Sequence, residues 1–130
     1  MILIDTDICI ELLRGNKTVI EKRQNCDEQV SISFMTVGEL FYGAERSTNR
    51  LNNLNVVDEF LLSIDVINSD LMILKKFGEL KSFLYKKRIL LPDADILIAS
   101  TVLTKCTKLI TGNKKHFNRF DNLAIENWLV

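Results

Sequence analysis

Three acidic residues, far apart in the sequence, stand beside apolar segments. Asp5 follows the apolar run of residues 1–4, Glu39 lies near the start of a predicted helix, and Asp95 begins the apolar stripe of another. Side chains that follow parallel strands gather at one edge of the sheet. Like charges destabilise a fold there unless a cation lies among them. Carboxylates without a Cys/His cluster favour Mg²⁺ or Mn²⁺, and such a site predicts a phosphodiester substrate.

Asp5 and Glu39 could also have a structural role, as capping residues at the start of a helix. Asp5 and Asp7 cannot both cap the first helix, and we expect Asp5 to be functional and Asp7 to be the cap or a supporting group. Thr36 and Glu39 have the spacing of a capping box, in which the Glu39 carboxylate accepts from the Thr36 backbone N–H. A catalytic and a capping role for Glu39 both remain open.

The segment LPDADILIAS, residues 91–100, contains two carboxylates with different expected roles. Asp93 is predicted to be the N-cap of a helix. Asp95 shares a helix face with Ala99 and Val102, so it is predicted to begin the buried stripe. A carboxylate that points inward is unfavourable unless it is paired or binds a cation.

Polar residues also follow the predicted strand in LITGNKKHF, residues 109–117. Thr111 and Asn113 supply a hydroxyl and an amide oxygen at the same edge of the sheet. His116 could act as a general base, but a lone histidine in this setting is typical of a surface or packing residue. Lys114, Lys115 and Arg119 could contact phosphates or form a solvated helix face.

The pattern of apolar residues alternates strands with helices. Strands are predicted at residues 1–4, 29–35, 64–67, 108–111 and 124–128, with helices at 8–13, 19–23, 36–46, 49–62 and 94–105. A further helix is predicted after Ser69, with a buried stripe of Leu71, Leu74, Phe77, Leu80 and Leu84. Strands separated by helices favour a three-layer α/β/α sandwich with a central, mostly parallel five-stranded sheet.

Composition limits the alternatives. A chain of 130 residues predicts a single domain, residues 1–130, and 47% hydrophobic residues exclude a disordered chain. With 17 basic and 17 acidic residues the formal net charge is zero, so nucleic acid would need a local basic patch. The apolar start is interrupted by acidic residues, which is unlike a signal peptide or membrane span. Three unpaired cysteines favour a reducing, cytoplasmic location.

Several motifs, in order, resemble those of the PIN-domain nucleases, and most closely the VapC-type toxins of prokaryotic toxin–antitoxin pairs. They are LIDTDI near the start, Glu39-Leu-Phe-Tyr-Gly43, DILIA from Asp95, LITGN before Lys114, and a terminal IENW. The set covers nearly the whole chain. Each motif is weak alone, but the ordered set is specific.

The resemblance implies a metal-dependent endoribonuclease that is usually dimeric and is held inactive by a cognate VapB-type antitoxin. Asp5, Glu39 and Asp95 match the family's acidic residues, with Mg²⁺ or Mn²⁺ held by Asp5 and Asp95. Cleavage would leave a 3′-hydroxyl and a 5′-phosphate. Asn113 stands where many members have a fourth acidic residue, which leaves one or two metal ions open.

Further positions support this assignment. Thr6 and Thr111 match polar positions that line the family's site, and Asp93 could compensate for Asn113. Arg14 and Lys114 are the candidates for contacts with RNA phosphates.

Two other functions are compatible with some of these residues. A phosphatase of the haloacid dehalogenase type would use Asp5, Asp7 and Thr111, but that class needs its second acidic pair after the threonine, and here Asp93 and Asp95 come before it. A catalytically degenerate fold that only binds a partner is the second, and Asn113 favours it. Divalent metal titration separates an intact site from a degenerate one.

Overall fold

The sheet is built from five short strands. The computed structural model describes all 130 residues, and every strand pairing in it is parallel. The strand order is β3-β2-β1-β4-β5. In chain order the strands are β1 (Ile2–Ile4), β2 (Val30–Ser33), β3 (Asp65–Ile67), β4 (Lys108–Ile110) and β5 (Ile125–Glu126).

Seven helices connect these strands. Since all strands run the same way, each connection must cross back over the sheet. Two helices form each of the first three connections, and one helix forms the last. They are α1 (Thr6–Leu13), α2 (Lys17–Gln24), α3 (Phe34–Arg46), α4 (Arg50–Leu61), α5 (Leu71–Lys86), α6 (Asp93–Lys105) and α7 (Lys114–Phe117).

Hydrophobic side chains cover both faces of the sheet. In β1, Ile2 and Ile4 belong to one core cluster with residues of α1 to α4, and Leu3 belongs to a second cluster with residues of α5 to α7. All three residues of this strand are buried, because successive side chains point to opposite, covered faces. The predicted three-layer α/β/α sandwich with a five-stranded sheet is confirmed.

Of the two roles left open for Glu39, the capping box with Thr36 is not formed. Strand β2 ends at Ser33, whose hydroxyl accepts from the Met35 N–H at 3.0 Å, so α3 begins at Phe34. Thr36 then lies inside the first turn and is fully buried. Glu39 is therefore released from any capping role at the start of α3.

Two other predicted helix starts also differ. Helix α5 is capped by Asp70, not Ser69, and its side chain accepts from the Ile73 N–H at 2.9 Å. The buried face includes Ile73 and Leu84, while Leu71 is 75% exposed. Helix α6 begins at Asp93 itself with Pro92 at the N-cap position, so Asp93 is not the predicted cap.

No helix has both the length and the apolar composition needed to cross a membrane.

Candidate active site

Asp5 is the most deeply buried carboxylate and caps α1. Its Oδ1 accepts from the Thr6 N–H at 2.8 Å, and its Oδ2 accepts from the Thr111 hydroxyl at 2.7 Å. Burial raises the pKa of Asp5 to about 7; the Thr111 hydrogen bond opposes the shift, and Asp7 and Asp95 add to it. Each oxygen accepts one hydrogen bond and keeps a lone pair. Asp5 can therefore still bind a cation.

Asp7 was predicted to be the cap or a supporting group, and the cap position falls on Asp5 because α1 starts directly after β1. Its Oδ2 accepts from the Gly112 N–H at 2.9 Å. Its Oδ1 is buried and has no hydrogen-bond partner. Burial raises the pKa of Asp7, and Asp95 adds to the shift. A buried carboxylate oxygen without a partner is unfavourable unless a cation reaches it.

Gly112 allows this close approach between β4 and α1. A Cβ atom at this position would lie 2.9 Å from Asp7 Oδ2 and 2.5 Å from Leu129 Cδ1. Real Cβ atoms do not approach other atoms so closely, so any side chain here would displace a neighbour. Glycine therefore lets the backbone N–H reach the Asp7 carboxylate.

Glu39 is held by a chain of two threonine hydroxyls. Thr6 Oγ1 donates to Glu39 Oε1 at 2.7 Å and lies 3.0 Å from Thr36 Oγ1. A hydroxyl has one hydrogen, so Thr36 is the donor to Thr6. Sequence reasoning placed Thr6 at the site but did not find this role of Thr36, which only the observed start of α3 reveals.

Asp95 is turned away from bulk solvent, with 17% of its side chain exposed, as its place at the head of the apolar stripe predicted. Its Oδ2 lies 2.6 Å from His116 Nδ1, and Asn113 Nδ2 lies 3.1 Å from the same nitrogen. When Nδ1 carries the hydrogen, it donates to Asp95 Oδ2, and the Asn113 amide nitrogen, which is itself a donor, is then a neighbour and not a hydrogen-bond partner. His116 was expected to be a surface or packing residue; 39% of its side chain is exposed, and sequence reasoning did not find this contact with Asp95.

The predicted site residues fall into two groups. The first group is Asp5, Thr6, Glu39, Asp95, Thr111 and Asn113. Hydrogen bonds connect Asp5 to Thr6 and Thr111, and Thr6 to Glu39, while Asp95 lies close enough to Asp5 to raise its pKa. The Asn113 N–H also donates to Thr111 Oγ1 at 3.0 Å. The second group, which consists of Asp93, Arg14 and Lys114, lies at the surface.

Of these three exposed residues, Asp93 and Arg14 form ion pairs with residues outside the site, and Lys114 forms no ion pair. Asp93 forms an ion pair with Lys81 Nζ at 2.8 Å. Arg14 lies 3.6 Å from Glu11 at the end of α1. Lys114 is exposed at the start of α7. Their supporting and phosphate-binding roles stay predictions.

The carboxylates at this edge suit a divalent cation by their chemistry. All donors are oxygen atoms, which Mg²⁺ and Mn²⁺ prefer. No lysine or arginine forms an ion pair with Asp5, Asp7, Glu39 or Asp95. Asp7 Oδ1 has no hydrogen-bond partner, and burial raises the pKa values of Asp5 and Asp7, so the folded protein alone stabilises these ionised carboxylates poorly. In the present side-chain positions, however, no three acidic groups surround a single point.

Comparison with known proteins shows the family to which the chain belongs. The family model for the PIN domain matches residues 2–123. Ribonuclease VapC2 of Haemophilus influenzae is 30% identical over 128 residues, which cover 98% of this chain and 97% of that protein. The tRNA(fMet)-specific endonuclease VapC of Shigella flexneri is 29% identical, with 97% of this chain and 96% of that protein covered.

Solved structures give the same result. A chain of the VapBC2 complex of Rickettsia felis bound to promoter DNA has a TM-score of 0.90 at 28% identity, with 98% of this chain and 99% of that chain covered. A chain of the DNA-bound VapBC complex of Salmonella typhimurium has a TM-score of 0.91 at 27% identity, with 98% and 97% covered. This protein therefore belongs to the PIN domain family, among the ribonucleases named VapC.

Proposed function

We propose that this protein is an endoribonuclease toxin that depends on Mg²⁺ or Mn²⁺ and cleaves RNA phosphodiester bonds. The observation that carries the proposal is the set of partly or fully buried carboxylates at one edge of the sheet, with raised pKa values for Asp5 and Asp7 and no paired lysine or arginine. Such a site is unfavourable for the folded protein alone. It becomes useful once a divalent cation and a phosphate meet there.

Asp5 and Asp95 would hold the metal ion, with Glu39 in contact directly or through water. The free Oδ1 of Asp7 adds a fourth carboxylate that could take part, in a site where Asn113 replaces an acidic residue. Bound there, a divalent cation supplies charge neutralisation for the phosphodiester and lowers the pKa of water.

The remaining residues orient these oxygens. The Thr6 N–H and the Thr111 hydroxyl fix the two oxygens of Asp5, and the hydroxyls of Thr36 and Thr6 fix one oxygen of Glu39. His116 holds Asp95 Oδ2 and leaves Asp95 Oδ1 free. With both ends fixed, the carboxylates need little rearrangement at the moment of reaction.

RNA would enter across this edge, with Arg14 and Lys114 as candidate contacts for its phosphates. The proposed products carry a 3′-hydroxyl and a 5′-phosphate. Both assignments follow from the resemblance of the motifs to the family and from the exposure of the two basic side chains.

A cognate VapB-type antitoxin is the proposed partner, because the structural neighbours of this chain include VapBC complexes from Rickettsia felis and Salmonella typhimurium. The active form is proposed to be a homodimer. The proposed location is the cytoplasm, which suits the three free cysteines.

Substitution of single metal-binding carboxylates tests the function. In Asp5→Asn and Asp95→Asn, RNA cleavage should fall by about 10²–10³-fold or more, because an amide neither balances the cation's charge nor binds it as strongly. Cleavage of a labelled RNA is measured with Mg²⁺ or Mn²⁺ present. The matched control is Asp58→Asn, which makes the same change on the exposed face of α4 and should keep wild-type activity.

Thermal unfolding in EDTA separates loss of function from loss of fold. Both site variants should melt at the wild-type temperature or higher, since removing one negative charge relieves repulsion. Wild-type cleavage rates in either variant would refute the assignment. If wild-type protein does not cut RNA and gains no stability from Mn²⁺, the degenerate binding module is the correct alternative.

A further inference from the structure

A basic cleft lies next to the acidic site. It is formed by the segment 88–91, which follows α5, together with Lys115, His116 and Arg119 of α7 and the turn after it. Its volume is about 410 Å³. The two sides come from elements separated by more than twenty residues of chain, so the cleft depends on tertiary packing. A solvated face of one short helix would not produce it.

The charge of this basic cleft is entirely positive. Arg88, Lys115 and Arg119 line it, and no acidic residue does. None of the three has a carboxylate within ion-pair distance anywhere in the protein. Six other lysines and arginines of this neutral protein are paired in this way. Three unpaired cations in one concave surface therefore form a local positive patch, which an anion can occupy without displacing an internal partner.

Arg88 stands in a backbone conformation that favours glycine. Its φ is +59°, and helix α5 ends there in a Schellman motif: the Ile89 N–H donates to the Leu84 carbonyl at 2.9 Å, and the Arg88 N–H donates to the Tyr85 carbonyl at 3.0 Å. The residue at this position of the motif is usually glycine, because a Cβ atom is unfavourable in the left-handed region. Arg88 occupies this position and lines the basic cleft, so a charged residue stands here at a cost in local stability.

His116 connects the basic cleft to the acidic site. It lines the cleft, and its Nδ1 is 2.6 Å from Asp95 Oδ2. A ligand in the cleft therefore lies one side chain away from the proposed metal-binding carboxylates. A polyanion whose reacting phosphate sits among carboxylates needs positive charge for its neighbouring phosphates, and this cleft supplies it.

We propose that the basic cleft binds the phosphates of the RNA strand next to the position of cleavage, with Arg88, Lys115 and Arg119 as the contacts. This rests on the proposed ribonuclease function and adds a binding path to it. Phosphate contacts hold the strand in place and are not sequence-specific, and guanidinium groups can bind phosphate in a bidentate manner. Arg88 and Arg119 come from two different segments of the chain that line the cleft.

Binding of single-stranded RNA tests the proposal. A fluorescently labelled oligoribonucleotide is titrated with the full chain in EDTA, which prevents cleavage, at several salt concentrations. The triple variant Arg88→Gln/Lys115→Gln/Arg119→Gln should raise the Kd roughly tenfold or more at low salt. The slope of log K against log salt should become shallower by about 2, since each lost contact with a single strand contributes about 0.7.

A charge-matched control removes three cations elsewhere. Lys17→Gln/Arg46→Gln/Lys75→Gln changes exposed basic residues that do not line the cleft and have no carboxylate partner. RNA affinity in this variant should remain well above that of the cleft variant. Equal losses in both triple variants would overturn the proposal, because they would show dependence on overall charge only.

Substitutions of Arg88 alone distinguish a binding role from a structural one. Arg88→Gly should raise the melting temperature by about 2–4 °C, because glycine suits the left-handed position, and should still weaken RNA binding. Arg88→Lys keeps the charge and should retain most of the affinity. Arg88→Gly that binds RNA as tightly as wild type would remove Arg88 from the site.

The outcomes separate this proposal from the ribonuclease function. When the wild type cleaves RNA, the cleft variant should raise KM and leave kcat nearly unchanged; an unchanged KM overturns the cleft alone. When the wild type does not cleave any RNA but the cleft variant loses RNA binding, the cleft stands and the nuclease function fails. Unchanged RNA binding with weakened binding of an acidic partner protein would assign the cleft to that partner and overturn the proposal.

Discussion

Carboxylates at the acidic site and carboxylates at the surface of this protein have opposite surroundings. Asp70 receives hydrogen bonds from Lys105 Nζ at 2.6 Å and from the Ile73 N–H, and the lysine contact is the main cause that lowers its pKa. Glu126 accepts from Trp128 Nε1 and pairs with Lys108, which also lowers its pKa. For Asp5, burial without a cation raises the pKa to about 7.

The difference is informative because lysines are abundant in this chain. Asp70, Asp93 and Glu126 each have a lysine within 3.2 Å, but neither Asp5 nor Asp7 has one. A lysine in the acidic site would stabilise the fold and also exclude a divalent cation. The unpaired arrangement is therefore what a metal-dependent site requires, and the surface pairs are what stability alone favours.

The pH dependence of stability provides the largest expected effect. Between about pH 4 and pH 7 the folded protein keeps a proton on Asp5 that the unfolded chain has already released. The free energy of unfolding in EDTA should therefore fall as pH rises through this window, by about 4 kcal/mol from Asp5. Denaturant unfolding at a series of pH values measures this slope.

Asp5→Asn is the matched variant for this measurement, because it removes the titrating group and nearly keeps its shape. Its slope between about pH 4 and pH 7 should be much smaller than that of the wild type. Surface pairs act in the opposite direction: protonation of Asp70 and Glu126 removes stability at lower pH. A wild-type slope in Asp5→Asn would show that Asp5 is not the buried, destabilising group.

Addition of Mn²⁺ or Mg²⁺ should reverse this penalty. A ligand that binds only the folded state at a hundredfold excess over its Kd adds about 3 kcal/mol to the free energy of unfolding. The gain should be larger at pH 8 than at pH 6, because the cation competes with protons for the carboxylates. Thermal unfolding with and without the metal measures it.

The same titration in two variants locates the metal. Asp58→Asn should gain as much stability as the wild type, and Asp95→Asn should gain much less. An equal gain in Asp95→Asn would place the cation elsewhere. No gain in the wild type would support a degenerate site.

The order of strands and helices was predictable because it depends on local apolar patterns. Residues 1–4 form an uninterrupted apolar run, and in the structure Leu3 and its neighbours are buried on both faces of the sheet. Position directly after a strand likewise placed Asp5, Thr111 and Asn113 at the same edge. These predictions needed only side-chain periodicity and the parallel geometry of the sheet.

Contacts between distant segments were not predictable in the same way. Ser33 and Thr36 are both good N-cap residues, and the choice depends on where β2 ends, which pairing with β1 and β3 decides. The 2.6 Å contact of His116 with Asp95 depends on how α7 packs against α6. Capping propensity alone therefore wrongly predicted Asp93 as an N-cap, and it could not decide between Asp5 and Asp7 at the start of α1.

Gly112→Ala tests whether the acidic site depends on close packing. The ion pairs at the surface do not depend on it. The added Cβ would meet Leu129 and Asp7, so we expect a loss of about 1–3 kcal/mol in the free energy of unfolding. Denaturant unfolding measures the loss. Leu129→Ala in the same chain should restore part of it by removing the nearer contact. Wild-type stability of Gly112→Ala would mean that the β4–α1 contact is looser than described.

Asp93→Asn should have the smallest effect, and it is the sharpest check on the division between the two kinds of carboxylate. The side chain is 58% exposed and its partner Lys81 is 54% exposed. Exposed ion pairs contribute about 0–1 kcal/mol, so stability should change by no more than that and RNA cleavage should stay near the wild-type rate. A cleavage rate reduced more than about tenfold, which corresponds to about 1.4 kcal/mol of transition-state stabilisation, would move Asp93 into the acidic site. It would then compensate for Asn113, and exposure would no longer distinguish the structural carboxylates of this protein from the functional ones.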